Sequence, residues 1–377
     1  MGEALHEYFL EILTEEIPAW MHDNAHLALR QKLEPLVSDL GGDVSLITVS
    51  STPRRLVVFL PRLSERTKDR EQEIKGPPRK NAFDSNGKPT AALTGFLRKN
   101  NAAIEDLMES GDEYIRIRRS IPGRSAAELI AERVPAAIEA MRWPKMMRWG
   151  TGEYSYIRPI HSLVSLLDDQ HLPVQVFGVP SGTATVGHRT LSPNPIEVRS
   201  YNDYVSKLEL AHVVVDSTRR RHVMAERARI LANQVNGSPS IDATIWSQWQ
   251  YLTEYPGVVR AEFRSDFLAL PEEVLVTVMR VHQKQLPIRD ASGGLTNFFL
   301  AVLDNVGDPD GNAAYGNAFV TNARFADAEF FYTTDRKRPL EDRLQQLSHL
   351  QFQEKVGDYQ QKTKRIEAIA TGICQHL

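Results

Sequence analysis

The chain lacks most of the features that assign a function quickly. Its single cysteine, Cys374, excludes an intramolecular disulfide and any multi-cysteine metal site, and it fits a reducing compartment. No apolar run approaches the roughly 20 residues that span a bilayer. Met1 to Tyr8, with Glu3, His6 and Glu7, has no basic-then-apolar signal pattern, so a cytoplasmic chain is expected. Phosphate-cradling glycine loops are missing too: Gly150-Thr151-Gly152 comes nearest and lacks the third glycine and the lysine. There is no Gly-x-Ser-x-Gly elbow, which argues against an α/β-hydrolase. Neither charge sign dominates, the net charge being -3, so the overall balance does not advertise a nucleic-acid partner.

What is present is unevenly distributed. Between Ser51 and Asn100 twelve Lys and Arg face five Asp and Glu, a local excess of seven positive charges that permits a phosphate-binding face. Basic side chains mixed into an ordinary solvated surface would read the same way. Two of the five tryptophans bracket Trp143-Pro144-Lys145-Met146-Met147-Arg148-Trp149-Gly150, and Tyr154, Tyr156, Arg158, Pro159 and His161 follow closely. Aromatic faces interleaved with cations can stack on bases while neutralising phosphates. The same rings can equally be core.

At 377 residues the chain is long enough for two or three domains. Tyr8 to Thr14 reads as a strand, and Pro18 opens a helix with Leu29, Leu33, Leu36, Val37 and Leu40 on one face. Val44 to Val49 and Leu56 to Leu60 read as strands around a Ser50-Ser51-Thr52-Pro53 turn, giving a β-α-β-β opening. Lys75-Gly76-Pro77-Pro78 reads as a rigid basic loop, and Ser125 to Met141 as a helix despite Pro135. Short strands are expected from Leu163 to Val215, then a helix over Thr218 to Gln234. Leu270-Pro271-Glu272-Glu273 starts a helix running to about Gln285, with acids facing the positive end of the dipole. Phe298 to Leu303 is a strand, and Asn312 to Tyr332 and Pro339 to Leu377 are helical. The fold class is therefore α+β: multidomain, with mixed sheets, packed helices and a helical C-terminal end.

Candidate chemistry is sparse. His22 and His26, at i and i+4, could face one way and ligate a metal, but no recognisable partners join them, and surface helix residues account for them as well. Glu11, Glu15 and Glu16 cluster near Pro18, where helix-dipole and capping effects explain Glu15 and Glu16. His282-Gln283-Lys284 closes the Pro271 helix, where cations are favoured, yet it also presents donors to a ligand. Thr185-Val186-Gly187-His188-Arg189 places an imidazole and a guanidinium together, suited to phosphate or ribose. Arg324, Asp327 and Glu329 suit a surface ion pair.

Taken in order, the segments resemble a known family. They are Thr14-Glu15-Glu16-Ile17-Pro18-Ala19, Thr52-Pro53-Arg54-Arg55-Leu56, Lys75-Gly76-Pro77-Pro78 and Gly95-Phe96-Leu97-Arg98-Lys99. Trp143 to Gly150, Arg158-Pro159-Ile160-His161, Gly187-His188-Arg189 and Glu254-Tyr255-Pro256 come next. Leu270 to Leu275, His282-Gln283-Lys284, Ala326 to Phe331, Pro339 to Arg343 and Phe352 to Gly357 complete the series. This set is similar to the β subunit of the bacterial two-subunit glycyl-tRNA synthetase, over nearly the whole chain.

The resemblance implies a tRNA-handling subunit that pairs with a separate α subunit in an α2β2 enzyme. The α subunit would carry the class II site that uses glycine, ATP and Mg, so this chain would bind no cofactor or metal and hold no catalytic residue. It also implies three segments: an N-terminal α+β domain with basic loops over 1–160, a second α+β domain over 161–345 and a helical segment over 346–377. The second is similar to the editing-like domain of the phenylalanyl enzyme's large subunit, with no editing activity implied. The family chain is longer, so the run to Leu377 would be the entrance to an HD-type domain, its last helix loosely held or packed on a neighbour. tRNA(Gly) contacts would come from Arg54, Arg55, Lys75, Arg79, Lys80, Lys145, Arg148, Arg158, His188, Arg189, His282 and Lys284, chiefly to phosphates. Two rival expectations stand beside this: a scaffold that binds only the α subunit, and an independent editing or phosphohydrolase enzyme. Gln285, Ser162, Ala318, Phe319 and Asn322 depart from the family pattern and weaken stacking or ion-pair roles at those positions.

Overall fold

A computed structural model describes residues 5–84, 87–108 and 113–376. Residues 1–4 and 377, which belong to the terminal expectations above, lie outside them. The chain forms two compact units, residues 1–222 with 248–256 and residues 223–247 with 257–377. The class is α+β, as expected.

The first unit is organised by one strand. β1 (Leu5–Thr14) is followed by helix α1 (His22–Asp39), then β2 (Thr48–Thr52) and β3 (Arg55–Ser64), the expected β-α-β-β opening. β4 (Arg70–Pro78), α2 (Arg79–Ala82), α3 (Ala91–Lys99), β5 (Tyr114–Ile121) and α4 (Ala126–Glu139) come next. They lead to β6 (Ile160–Leu167), β7 (Gln170–His171), β8 (Gln175–Val176), β9 (Val179–Gly182), β10 (Ala184–Val186), β11 (Pro195–Glu197) and helix α5 (Tyr201–Leu210). The main sheet runs β2-β3-β1-β6-β9-β8, with β7 beside β6. β1 lies between β3 and β6, antiparallel to both. An expected boundary at 160 would separate β6 from the strand it pairs with.

Because successive strand residues point to opposite faces, β1 feeds two cores. Tyr8, Leu10 and Ile12 pack with Leu29, Leu33 and Leu36 of α1 and Leu129, Ile130 and Val134 of α4. Phe9 packs on the other face with Val57, Val164, Tyr204 and Leu208. α4 starts on a capping box: Ser125 Oγ accepts from the Glu128 amide at 3.3 Å, and Glu128 accepts from the Ser125 amide at 3.1 Å. The pairing of β4 with β5, covered by α2 and α3, has its own small core of Ala82, Leu93, Leu97, Ile115 and Ile117.

Several local expectations change. Val44–Leu46 is a 3₁₀ turn, not a strand, because Asp43 caps the Ser45 amide and Arg30 takes the Val44 and Ile47 carbonyls. Ser50 to Thr52 belongs to β2, and the turn is the pair Pro53-Arg54. Lys75-Gly76-Pro77-Pro78 is the end of β4, with a register shift between Lys75 and Pro78 where the prolines donate no amide. α3 and β5 are additions to the elements expected from the sequence, and Tyr201–Leu210, inside the stretch expected as short strands, is the helix α5, opened where Ser200 Oγ accepts from the Asp203 amide at 3.1 Å.

In the second unit, α6 (Ser217–Asn233) supplies its residues from 223 onward, and β12 (Ser238–Pro239) and α7 (Ala243–Trp249) precede β13 (Gly257–Glu262). α8 (Glu272–Thr277) continues as a π-helical turn over Val278–His282, before β14 (Leu286–Arg289) and β15 (Leu295–Leu303). The sheet order is β12-β14-β15-β13. α9 (Asn312–Asp335) supplies Phe325 to a core with Phe263, Phe267, Met279 and Phe299. The expected continuous helix after Pro339 is instead a 3₁₀ stretch, Glu341–His349, a small hairpin of β16 (Gln351–Gln353) and β17 (Gly357–Asp358), and α10 (Tyr359–His376). Gly357, at φ +93°, supplies the left-handed backbone inside that hairpin.

Candidate functional site

Motifs far apart in the sequence meet where β1 ends. The Thr14 amide donates to the Arg54 carbonyl at 2.7 Å, the Glu15 amide to Pro159 at 3.0 Å and the Ile17 amide to Pro53 at 2.7 Å. The Thr14–Pro18 segment is thus held between the β2–β3 turn and the entry to β6. Directly behind it lies a buried ionic network. Glu11 and Arg55 sit on the same sheet face as diagonal neighbours, since Glu11 pairs with Val57 and Leu13 with Arg55. Arg55 Nε donates to Glu11 Oε2 at 3.2 Å and Nη1 to Glu254, while Nη2 donates to the Val186 carbonyl at 2.6 Å. Thr185 and Tyr204 hydroxyls also donate to Glu11, and Thr52 Oγ1 donates to Glu254 Oε1 at 2.5 Å.

Arg55, Glu11 and Glu254 are essentially inaccessible to solvent. Burial alone would make the guanidinium easier to deprotonate, but Glu254 and Glu11 outweigh it and raise the Arg55 pKa. Burial and the adjacent Glu11 carboxylate push the Tyr204 phenol well above its ordinary value. Arg55 therefore leaves the set of expected RNA contacts: a guanidinium spent on two buried carboxylates cannot meet a phosphate. The same holds for His188, which is 1% exposed. Its Nδ1 accepts from the Leu191 amide at 3.2 Å, which folds the loop after Gly187 back on itself. Glycine is required before it, since a Cβ at 187 would stand 2.4 Å from the Ser192 carbonyl oxygen.

The rim of this network is open and ionic. Glu15 meets His161 at 2.8 Å, Glu16 meets Arg189 at 2.6 Å, and Arg158 Nε donates to the Glu16 carbonyl at 2.7 Å. The bond from His161 holds the Glu15 carboxyl below its usual range. Arg189 is exposed, and Arg54 and Arg158 are half-buried.

The other expected contacts are placed elsewhere. Lys75 stands 3.5 Å over the Tyr114 ring, and Arg79 and Lys80 are exposed on α2. Lys145 and Arg148 are exposed on either side of Met147, which is tied to Tyr156 by reciprocal backbone bonds of 2.9 and 3.2 Å. Trp143 is buried edge-on to Tyr156, so here the rings anchor and the cations project. In the second unit His282 is exposed, while Lys284, at φ +55°, caps the Val281 carbonyl at 2.9 Å.

Two buried polar groups next to this site are not marked by any sequence motif. Arg220, the middle of three consecutive arginines on α6, is fully buried and donates to the carbonyls of Val214, Val215, Ser51 and Gln250. Tyr251 stacks on His22 at 4.5 Å and donates to Asp23 at 2.8 Å. His22 and His26 both face Ser51 Oγ, at 2.8 and 2.7 Å, so the pair is engaged with a hydroxyl. Among the described residues no group of three His, Cys, Asp or Glu side chains could hold a metal, and no helix is long and apolar enough to cross a membrane.

A family model described as glycyl-tRNA synthetase beta subunit matches residues 8–377. The glycine–tRNA ligase beta subunit of Desulforudis audaxviator is 38% identical over 96% of this chain and 53% of its own length. The corresponding protein of Moorella thermoacetica is 35% identical over 98% and 54%, and that of Bacillus subtilis 33% identical over 98% and 55%. The chain spans about half the length of the curated relatives it matches. With matched residues running from the first strand through the last helix, the chain belongs to the glycyl-tRNA synthetase beta-subunit family.

Proposed function

We propose that the chain is the N-terminal portion of a glycine–tRNA ligase β subunit and helps bind tRNA(Gly) and build an α2β2 enzyme in the cytoplasm. The ATP- and Mg-dependent charging site would lie on the α subunit. The observation that supports tRNA contact best is the Trp143–Gly150 loop, where buried rings fix a base from which Lys145 and Arg148 project. Lys75, Arg79, Lys80, Arg54, Arg158, Arg189, His282 and Lys284 remain in the proposed contact set. Titration of the chain with a tRNA(Gly) transcript over a salt series tests this. Binding that weakens with rising salt, in proportion to the phosphates neutralised, is expected. No binding at low salt would overturn it.

A second reading, an assembly scaffold that touches no tRNA, is favoured by the apolar side chains exposed on α9 and α10. Tyr315, Phe319, Phe330 and Phe331 are 62–72% exposed, and Ile366, Ile369 and Ile373 form a stripe at helical spacing. Titrating the same chain against the α subunit separates the readings. Under the scaffold reading α binds and tRNA does not.

A further inference from the structure

The basic window of the sequence contains a pattern that the contacts above do not use. Ser64 ends β3 and Arg70 opens β4, and across the connection Ser64, Arg66, Lys68 and Arg70 alternate in sequence with Glu65, Thr67 and Asp69. Thr67 and Asp69 turn toward Gly123 and Arg124: Thr67 Oγ1 accepts from the Arg124 amide at 3.0 Å and Asp69 Oδ1 from the Gly123 amide at 2.7 Å. The other set lines a cavity of about 290 Å³ with the end of α1, including Ser38 and Gly41.

The wall opposite the cations is prepared for an anion. Asp39, the carboxylate in the cavity, is taken at both oxygens: Arg133 Nη1 donates to Oδ2 and Arg70 Nη2 to Oδ1, each at 2.8 Å. Those bonds, Arg133 first, hold its carboxyl below the ordinary range, so it remains a paired anion. The cavity is thus lined by three cations, Arg66, Lys68 and Arg70, and by one acid, Asp39, which Arg70 and Arg133 neutralise between them. Arg66 is steadied by its Nη2, which donates to the Gly123 carbonyl, and its charge also acts on the nearby Glu128 carboxylate. The carbonyls at the end of α1, whose dipole would repel an anion, are capped by their own chain: the Leu40, Gly41 and Gly42 amides bond back to Leu36, Ser38 and Val37. Gly41 keeps the cleft open, since it sits at φ +66° and a Cβ there would approach Ser64 Oγ to 3.1 Å. Lys68 is exposed and its ammonium has no partner among the described residues.

We propose that this cleft seats a phosphoryl group, with Lys68 and Arg66 supplying charge and the Ser38 and Ser64 hydroxyls supplying donors. Several convergent donors and an excess of positive charge are what a tetrahedral oxyanion needs and a single carboxylate does not. The group is either a backbone phosphate of bound RNA, an assignment that rests on the function proposed above, or free inorganic phosphate.

The test uses the whole chain and the variants Lys68→Gln, Lys68→Arg and Ser64→Ala. Thermal unfolding is followed at fixed ionic strength as chloride is replaced by inorganic phosphate, and tRNA(Gly) binding is followed over a salt series. Phosphate also stabilises proteins by exclusion from their surface, so the difference between variants is the readout. The expected result is a phosphate-dependent rise in Tm that is reduced in Lys68→Gln and Ser64→Ala and kept in Lys68→Arg. If the RNA backbone is the source, Lys68→Gln also lowers the salt slope of tRNA binding by about one. A reduced phosphate response with an unchanged tRNA slope supports the site and assigns it to free phosphate. Loss of tRNA binding by the unaltered chain, with the phosphate response intact, counts against the proposed function and leaves the cleft supported. Equal phosphate responses in all variants, with an unchanged tRNA slope, overturn the proposal.

Discussion

The interior around Arg55 and the loop tip around Lys145 and Arg148 both present cations in motif segments, and their surroundings give those cations opposite work. Arg55 lies on a sheet face between two strands, ringed by Glu11, Glu254, Tyr204 and Thr185. Lys145 and Arg148 stand on an exposed loop whose aromatic neighbours are the buried part. A basic residue in a motif segment is therefore assigned by what its charge already neutralises. Where carboxylates from other motifs converge on it, the motif encodes a tertiary joint. Where nothing converges, the charge is left for a partner.

The largest effect is expected at Arg55. Arg55→Leu leaves Glu11 and Glu254 buried without their counter-ion, and a loss of about 3–5 kcal/mol in urea unfolding is expected. Gly187→Ala, which forces a Cβ against the Ser192 carbonyl, should cost about 1–3 kcal/mol in the same assay. Lys145→Ala should stay within about 0.5 kcal/mol of the unaltered chain.

A pH series sharpens the contrast further. Burial first, then the neighbouring His26, lowers the His22 pKa from 6.5 to about 3. Between those values the unfolded chain binds a proton that the folded chain refuses, so stability falls as pH drops from 6.5 toward 3. The slope from this group is at most about 1.4 kcal/mol per pH unit. His22→Gln should remove that component of the urea midpoint's pH dependence.

Much of this architecture is legible in the sequence, and the failures have physical causes. β1, α1 and α4 show periodicity or caps, and their types follow from it. α3 and α5 are short helices of 9 and 10 residues, whose few turns give periodicity little to work on. The Lys75–Pro78 stretch reads as a loop because proline removes ladder amides, yet at the end of a strand that loss is tolerated. At the site, the motif segments are visible in the sequence but their pairing is not. Glu11 is a readable signal, a lone acid inside the apolar run Phe9 to Leu13. Its counter-ion Arg55 lies 44 residues away, and the second carboxylate on Arg55, Glu254, lies 199 residues beyond that, and nothing local specifies such pairings. Arg220 is hidden the same way, since a run of three arginines on a helix reads as solvated surface until Ser51 and Gln250 bring their carbonyls to it.

The salt dependence of tRNA(Gly) binding to the chain carrying Lys145→Ala and Arg148→Ala tests the central contrast most directly. A slope lower by about two, with an unchanged Tm, is predicted if those side chains face phosphates and nothing inside the fold. An unchanged slope, or a Tm lowered as far as that of Arg55→Leu, would contradict it.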